Sequence, residues 1–253
     1  LWASPVAWQL LTSVMPDAAL LQPGRLEPPT LAHYEVVVTR SPMPRGLLNS
    51  LVVALATTAL AAALGTLGGY ALARLPVPGR GALMLGIVTS TAFPAIATVA
   101  PLYLVVRALG LRDTWAALVL ADASFTLPLA LWLIAGFVRD VPPALEEAAL
   151  VDGASRLGAL RHVVLPVLAP GIAAASLVAF LFAWNEFLFA YTFTATEASR
   201  TAPVALALFP GVFEVPWGDL AAASVLASLP PVLIVLLLRR HLISGLLAGA
   251  LKD

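Results

Sequence analysis

The sequence contains no cysteine and few charged residues, and each shortage excludes a class of protein. Without cysteine, the chain cannot form a disulfide bond, bind a metal through sulfur or carry out thiol chemistry. Charged residues make up 11% of the 253 residues, whereas soluble domains contain about 25%. The 14 basic residues are balanced by 14 acidic ones, so no positive excess favours nucleic acid as a partner. Since 60% of the residues are hydrophobic, the composition indicates a membrane protein.

The motifs of common catalytic sites are also missing. The sequence contains no GxxxxGK[ST] loop for the phosphates of ATP, no HExxH zinc motif and no GxSxG nucleophile turn. Its three histidines, His33, His162 and His241, are scattered along the chain. We therefore expect no catalytic residue, no metal site and no cofactor held by this chain itself.

Long apolar runs are what the sequence does contain, and there are six: 1–16, 46–73, 81–106, 114–138, 162–195 and 220–238. A transmembrane helix needs about 20 apolar residues to cross a hydrocarbon core of about 30 Å. The first run is shorter, and we interpret it as the remaining end of a truncated span. Continuously apolar runs favour helices over a β-barrel. The prediction is an all-α polytopic membrane protein with six transmembrane helices, forming a single domain over 1–253 with its core at about 46–240.

Basic residues in the connections between the runs predict the orientation of the chain. Eight lie in the 74–80 turn, the 139–166 connection and the 239–253 tail, and six lie in the other connections. This bias predicts that the 139–166 connection and the C-terminus face the cytoplasm.

Gly65 and Gly69 form a small-xxx-small pair inside the second run. Such pairs allow two helix backbones to approach closely. For this pair we favour packing within the chain over dimerisation.

The segment 140–166 is a polar island between the fourth and fifth runs. Asp140 as a cap, Pro142 and Pro143 in a first turn and Gly153 as a stop predict one short helix. A second short helix is expected over about 155–164, ending before the proline at position 166.

One face of the first short helix carries small side chains, because Leu145, Ala148, Ala149 and Asp152 follow helical spacing. Such a face can enter a groove on a partner. On the residues alone, a solvated connection between two spans is an equally good interpretation.

The order of residues in this segment resembles a known signature. Glu147-Ala148-Ala149, three residues, Gly153, nine residues, Val163, one residue and then Leu165-Pro166 match the EAA signature of ABC importer permeases, with valine in place of isoleucine. Further matches lie at 49–50, 70–74, 183–186 and 245–252. Together they resemble the carbohydrate branch of that family, and within it the second permease of maltose- and trehalose-type importers.

The resemblance implies a type I importer fold whose coupling helix, between transmembrane helices 4 and 5, docks on a cytoplasmic ATPase. The implied coupling residues are Glu147, Ala148, Ala149, Gly153, Leu165 and Pro166. It also implies two ATPase subunits that hold ATP and magnesium, a second permease, and an extracellular or periplasmic sugar-binding protein. The chain is then a multi-pass protein of the bacterial inner membrane, surrounded by lipid, that imports a di- or oligosaccharide such as maltose or trehalose.

Polar residues inside the runs are candidates for the translocation path, since charges within a membrane are costly and tend to be functional. These candidates are Asp122, Trp184, Asn185, Glu186 and Tyr191. The alternative is that they hold helices together by hydrogen bonds. In the loop before the last run, Phe209, Phe213 and Trp217 are candidate contacts for the binding protein, or members of an aromatic belt at the membrane surface.

Two rival functions fit the composition less well. A secondary transporter is expected to show an inverted repeat and a chain of ionisable groups, and no clear repeat is visible. A membrane enzyme requires one of the missing catalytic motifs.

Overall fold

The computed structural model describes residues 3–21, 28–209 and 215–250, and regular structure within these ranges is helical. Polar backbone groups cannot remain unpaired in a hydrocarbon core, and a helix satisfies them within one segment. The helices are α1 Ser4–Thr12, α2 Asp17–Leu21, α3 Ala32–Arg40, α4 Met43–Arg74, α5 Arg80–Thr91, α6 Ala95–Ala108, α7 Trp115–Asp140, α8 Pro143–Val151, α9 Arg156–Ala159, α10 Leu165–Trp184, α11 Leu188–Phe193, α12 Ala202–Ala207 and α13 Trp217–Ala250.

In the described part of the chain, four helical stretches are long and apolar enough to cross a membrane. They are Met43–Arg74, Trp115–Asp140, Arg156–Trp184 and Trp217–Arg239. The bent pair α5 and α6 raises the number to five if it is one span. The all-α prediction is confirmed, but the prediction of six spans is not, since α1 has only nine residues.

The third apolar run, 81–106, was expected to form one helix, and it forms two. The axes of α5 and α6 differ by 95° across a break at residues 92–94. Pro94 lies in this break and has no backbone N–H to continue the helix. Before it, the hydroxyl groups of Ser90 and Thr91 donate to carbonyl oxygens three residues back, at 2.7 Å each. These bonds satisfy backbone acceptors where the helix ends.

The chain forms two compact units that alternate along the sequence. Unit 1 comprises Leu1–Val53, Tyr103–Leu118 and Asn185–Leu233, and unit 2 comprises Ala54–Leu102, Val119–Trp184 and Ile234–Asp253.

Within unit 2, α4 packs closely on α7, as the Gly65–Gly69 pair predicts. A Cβ atom on Gly69 would lie 3.0 Å from the backbone nitrogen of Ala135 and 3.2 Å from the carbonyl oxygen of Leu131. A Cβ atom on Gly65 would lie 3.3 Å from Ala130 Cβ. The prediction that this pair serves packing within the chain is confirmed. Beside it, a core of buried residues joins α4, α7 and the start of α10: Tyr70, Ile134, Val138, Val141, Leu160, Val164, Leu168 and Ala175.

Unit 1 has its own core, in which α3 and the start of α4 pack on α12 and α13. The core residues are Val37, Met43, Ala202, Ala205, Ala222 and Ala223. Next to this core, the ring of His33 is buried between Asp219 and the carbonyl oxygen of Met15, with N–O distances of 2.6 Å and 3.0 Å. His33, which the sequence left without a role, therefore links three segments of unit 1.

Candidate functional site

The predicted helix–glycine–helix arrangement of the polar segment is present, and Gly153 ends its first helix. The backbone of Gly153 has a φ of +90°. Its N–H donates to the carbonyl oxygen of Leu150 at 3.1 Å, and the N–H of Ala154 donates to that of Ala149 at 2.9 Å. These two bonds form a Schellman motif, in which the residue with positive φ is usually glycine.

The two ends of this segment differ from the prediction. Asp140 is the last residue of α7, and Pro142 holds the N-cap position of α8. The second short helix does not end before Pro166. Ser155 caps it by accepting the N–H of Gly158 at 3.1 Å, and it runs through a π-helical turn at Leu160–Val164 directly into α10. The wider π-helical turn accommodates Pro166, which has no backbone N–H to donate.

The side chains around the Gly153 turn are largely exposed, including apolar ones. Val151 is 87% exposed and Leu157 68% exposed, and they lie on either side of the turn. Glu147 and Ala148 are also exposed, whereas Ala149 is partly buried. Exposed apolar residues rimmed by polar ones mark surfaces that bind partners. Of the remaining signature residues, Leu165 is partly buried and Pro166 is exposed.

Glu146, the residue before the signature, is buried, and the sequence analysis assigns it no role. Its carboxylate accepts a hydrogen bond from the hydroxyl of Tyr70 and lies 3.5 Å from Nε of Arg74. Ala149 and Leu150, three and four residues later on the same helix face, are partly buried beside it.

The candidate path residues of the fifth run lie at a break in the helix. Helix α10 ends at Trp184, whose ring stacks on Phe180 at a centroid distance of 5.6 Å. The carboxylate of Glu186 accepts the backbone N–H groups of Phe189 and Ala190 at 2.7 Å and 2.9 Å. Glu186 thereby satisfies the free donors at the start of α11, where a negative charge is favoured.

Within unit 1, Asn185 and Tyr191 are both exposed and follow this break closely. Tyr191 stacks on Phe187, a residue that the sequence did not single out, with a centroid distance of 5.4 Å. Asp122 is different, since it is buried within unit 2 on α7. Helix packing alone would also bury Asp122. A role in the translocation path therefore stays a prediction for all five candidate residues.

The loop residues 194–201 are fixed by side chains from two other segments of unit 1. The carboxylate of Asp113 accepts the N–H groups of Ala195 and Thr196 at 2.8 Å and 3.1 Å, and the hydroxyls of Thr196 and Ser199. Burial acts to raise the pKa of Asp113, but these hydrogen bonds outweigh it and lower the pKa below its usual value.

On the other side of this loop, the amide nitrogen of Asn49 donates to the carbonyl oxygens of Glu197 and Arg200, at 3.1 Å and 2.7 Å. Its amide oxygen accepts the indole N–H of Trp115 at 3.2 Å. The loop is thus preorganised through its backbone. Of the three aromatic candidates that follow, Phe209 packs on the unit 1 core, Trp217 is exposed at the start of α13, and Phe213 lies outside the described residues.

A family profile described as "Binding-protein-dependent transport system inner membrane component" matches residues 65–248. The match contains α8, the Gly153 turn and the helices on either side. The chain belongs to this family. By family the chain is therefore a component of a transport system in the inner membrane, and its several apolar helices are those of a multi-pass membrane protein.

Curated relatives of this transport-system component cover almost all of the chain. It is 40% identical to the trehalose transport system permease protein SugB of Mycobacterium tuberculosis, over 98% of this chain and 92% of the relative. It is 36% identical to the trehalose/maltose transport system permease protein MalG of Thermococcus litoralis, over 98% of this chain and 91% of the relative. The resemblance found in the signature is confirmed.

A solved structure has the same fold. It is a bacterial ABC transporter involved in the import of the acidic polysaccharide alginate, and one of its chains matches with a TM-score of 0.81 at 20% identity. The match covers 95% of this transport-system component and 90% of that chain.

Proposed function

We propose that the chain is a permease subunit of an ATP-driven sugar importer, and that α8 and the Gly153 turn form the surface on which a partner ATPase docks. The observation that supports the docking role is the exposed face of α8, which ends in a rigid turn and carries the family signature. Small side chains at Ala148 and Ala149 allow a partner to approach the helix backbone. Val151 and Leu157 supply apolar contact area, and Glu147 supplies a charge for a basic partner residue.

Since the sequence has no loop for the phosphates of ATP, hydrolysis is assigned to the partner. Two ATPase subunits hold ATP and magnesium, and a second permease completes the membrane part. The docking surface and the C-terminus then face the cytoplasm of a bacterial cell, in agreement with the bias of basic residues.

The substrate class follows from the relatives, whose names specify trehalose, maltose and sulfoquinovosyl glycerol. All three are glycosides, so we assign a small glycoside, most simply a disaccharide, to this chain. The exposed Asn185 and the stacked pair Phe187–Tyr191 have the groups that such a substrate needs, a hydrogen-bonding amide and aromatic faces.

A sugar-binding protein delivers the substrate to the side of the loop at 194–201. A second solved relative in fold, with a TM-score of 0.69 at 16% identity, is an alginate ABC transporter in complex with an alginate-bound periplasmic protein. In this chain the preorganised loop and the exposed ring of Trp217 offer a contact surface within unit 1.

The test is uptake of labelled trehalose and maltose by proteoliposomes that contain the chain, its second permease and the ATPase, with the binding protein outside. We expect uptake only with ATP on the ATPase side and no loss when ion gradients are collapsed. Uptake that requires an ion gradient and no ATP would instead establish a secondary transporter.

A charge reversal tests the docking surface in the same system. Glu147→Lys should reduce sugar-stimulated ATP hydrolysis at least about tenfold, as expected for losing an interaction of about 1.4 kcal/mol. Glu35→Lys, at an exposed glutamate of α3, is the matched control and should retain stimulation. Equal stimulation in both variants would remove Glu147 from the docking surface.

A further inference from the structure

The most buried contact between helix α8 and the rest of unit 2 is made by a carboxylate. Of its nine residues, all of which the structure describes, only Glu146 is buried. The hydroxyl of Tyr70 donates to one carboxylate oxygen, and Nε of Arg74 lies 3.5 Å from the other. The side chains of Glu146 and Arg74 are 8% and 13% exposed. This contact is therefore the anchor of a helix whose other side chains are exposed or partly buried.

The same arginine also holds the end of α7. A terminal nitrogen of Arg74 donates to the carbonyl oxygens of Val138 and Val141, the former at 2.9 Å. The last carbonyl groups of a helix lack partners within it and carry partial negative charge, which favours a cation there. Arg74 thus joins the end of α4, the end of α7 and the first turn of α8 at one point.

We propose that Glu146, Tyr70 and Arg74 form a positioning triad through which α8 moves as one body with the ends of α4 and α7. The inference rests on the proposed function, in which α8 receives the force of a partner ATPase. Without the triad, α8 keeps its chain connections and the contacts of its partly buried residues, which allow it to rotate or lag when it is pulled. The triad fixes its orientation, so that motion of the docking surface becomes motion of two spans.

The chemistry of the triad favours orientation over stability as its purpose. A buried ion pair contributes little net stability, because desolvation of the charges offsets their attraction, and apolar residues of similar volume are often equally stable. Hydrogen bonds depend on angle, however, and an apolar contact does not. The hydrogen bond from the Tyr70 hydroxyl therefore specifies one orientation of α8, and the nearby guanidinium of Arg74 attracts the carboxylate by its charge.

The test uses the complete importer in proteoliposomes and measures sugar transported per ATP hydrolysed. Tyr70→Phe removes one hydroxyl and keeps the ring, and Glu146→Gln keeps the shape and removes the charge. Each should lower the transport ratio about three- to tenfold, in the range expected for one ordinary hydrogen bond. Because both changes act on the contacts of the same carboxylate, the double variant should be no more than about twofold below the worse single variant. Tyr34→Phe, which removes the hydroxyl bonded to Ser13 at 2.8 Å in unit 1, is the matched control and should keep the ratio.

A second readout separates positioning from general stability. Hydrogen exchange of the α8 amides in the assembled complex should be faster in Tyr70→Phe, whereas exchange in α11 should be unchanged. A normal transport ratio in both single variants, or effects that multiply in the double variant, would overturn the triad. A wild-type complex without ATP-dependent uptake would overturn the proposed function itself, and the inference with it.

Discussion

Two polar clusters, one in each compact unit, hold short elements in place by different kinds of bond. In unit 2, Glu146 is held by Tyr70 and Arg74, so two side chains carry the contact to α8. In unit 1, Asp113 and Asn49 bind the loop 194–201 chiefly through backbone N–H and carbonyl groups. The first cluster fixes a whole helix and leaves its outer face free. The second fixes the path of the backbone itself.

This difference has consequences for how each cluster can be disrupted. A cluster of two charges depends on both partners, because removal of one leaves the other buried and unpaired. A carboxylate that binds several backbone donors depends on itself alone, since each donor loses only one bond. Substitutions that separate these two behaviours test the comparison.

The largest effect is expected at the charge pair. Arg74→Met should lower the free energy of unfolding by about 3 kcal/mol or more, because the Glu146 carboxylate then lies buried without its cation. Arg74→Met combined with Glu146→Met should recover more than half of this loss. Denaturant unfolding of the purified chain in detergent measures both values. Equal losses in the single and double variants would show that the charges do not depend on each other.

The cluster that binds the loop 194–201 should depend on a single residue, Asp113. Asp113→Ala should cost about 2 kcal/mol and speed amide exchange at Ala195 and Thr196, whose N–H groups lose their acceptor. Asp113→Asn should cost about half as much, since asparagine keeps one acceptor oxygen and tolerates the φ of +62° at this position. If exchange at the loop does not change in the alanine variant, the carboxylate does not organise the loop.

The lowered pKa of Asp113 gives this cluster a characteristic pH range. A carboxylate with a pKa depressed on folding stabilises the protein above its unfolded value of about 4 and loses that contribution as pH falls through the folded value. The difference in unfolding midpoint between wild type and Asp113→Ala should therefore stay constant from about pH 8 to pH 5.

A separate contact in unit 1, between His33 and Asp219, should respond to pH in the opposite direction. Burial acts to lower the pKa of His33, but the hydrogen bonds to Asp219 and the Met15 carbonyl and the charges of Asp219 and Asp17 raise it overall. A raised pKa gives stability below the unfolded value of about 6.5 that is lost as pH rises through the folded value. The unfolding midpoint should therefore increase as pH falls from about 8 to 6.

His33→Gln should remove this pH dependence and cost about 1.5 kcal/mol at pH 6, as expected for a hydrogen bond to a charged group. Asp219→Asn is the partner control, because it removes the negative charge of the group that lies 2.6 Å from the His33 ring and should flatten the same curve. Retention of the full dependence in both variants would locate the titrating group elsewhere.

Much of the fold and part of the site follow from the sequence, for identifiable reasons. Apolar runs predict the spans because a hydrocarbon core imposes a minimum length, and the Gly153 turn is predictable because positive φ selects glycine. The bend at Pro94 is not predictable in this way, since prolines within α7 and α10 leave those helices continuous. Which proline breaks a helix depends on the neighbours that pair the freed groups.

The buried carboxylate could not be found by the same reasoning. Glu146 and Glu147 are adjacent and chemically identical, and the signature draws attention to the exposed one. Burial of Glu146 depends on Tyr70 and Arg74, which lie more than 70 residues earlier in the chain. Pairs so distant in sequence leave no local pattern.

The smallest effect is expected at Gly153, where backbone strain acts without any clash. A Cβ atom at Gly153 would meet nothing within 4 Å, so Gly153→Ala should cost only the strain of a positive φ, about 1 kcal/mol. Gly136 in α7 is the matched control, because a Cβ atom there also meets nothing within 4 Å and no positive φ is present. Gly136→Ala should be neutral or stabilising by about 0.5–1 kcal/mol, since alanine is the better helix former. Unfolding in detergent and sugar-stimulated ATP hydrolysis, measured on both variants, separate the two contributions. If α8 must keep its turn to transmit force, only Gly153→Ala lowers the stimulated rate. Equal stability changes in the two variants would show that a side chain causes no strain at position 153. A glycine-specific turn at the end of the docking helix would then lose its support.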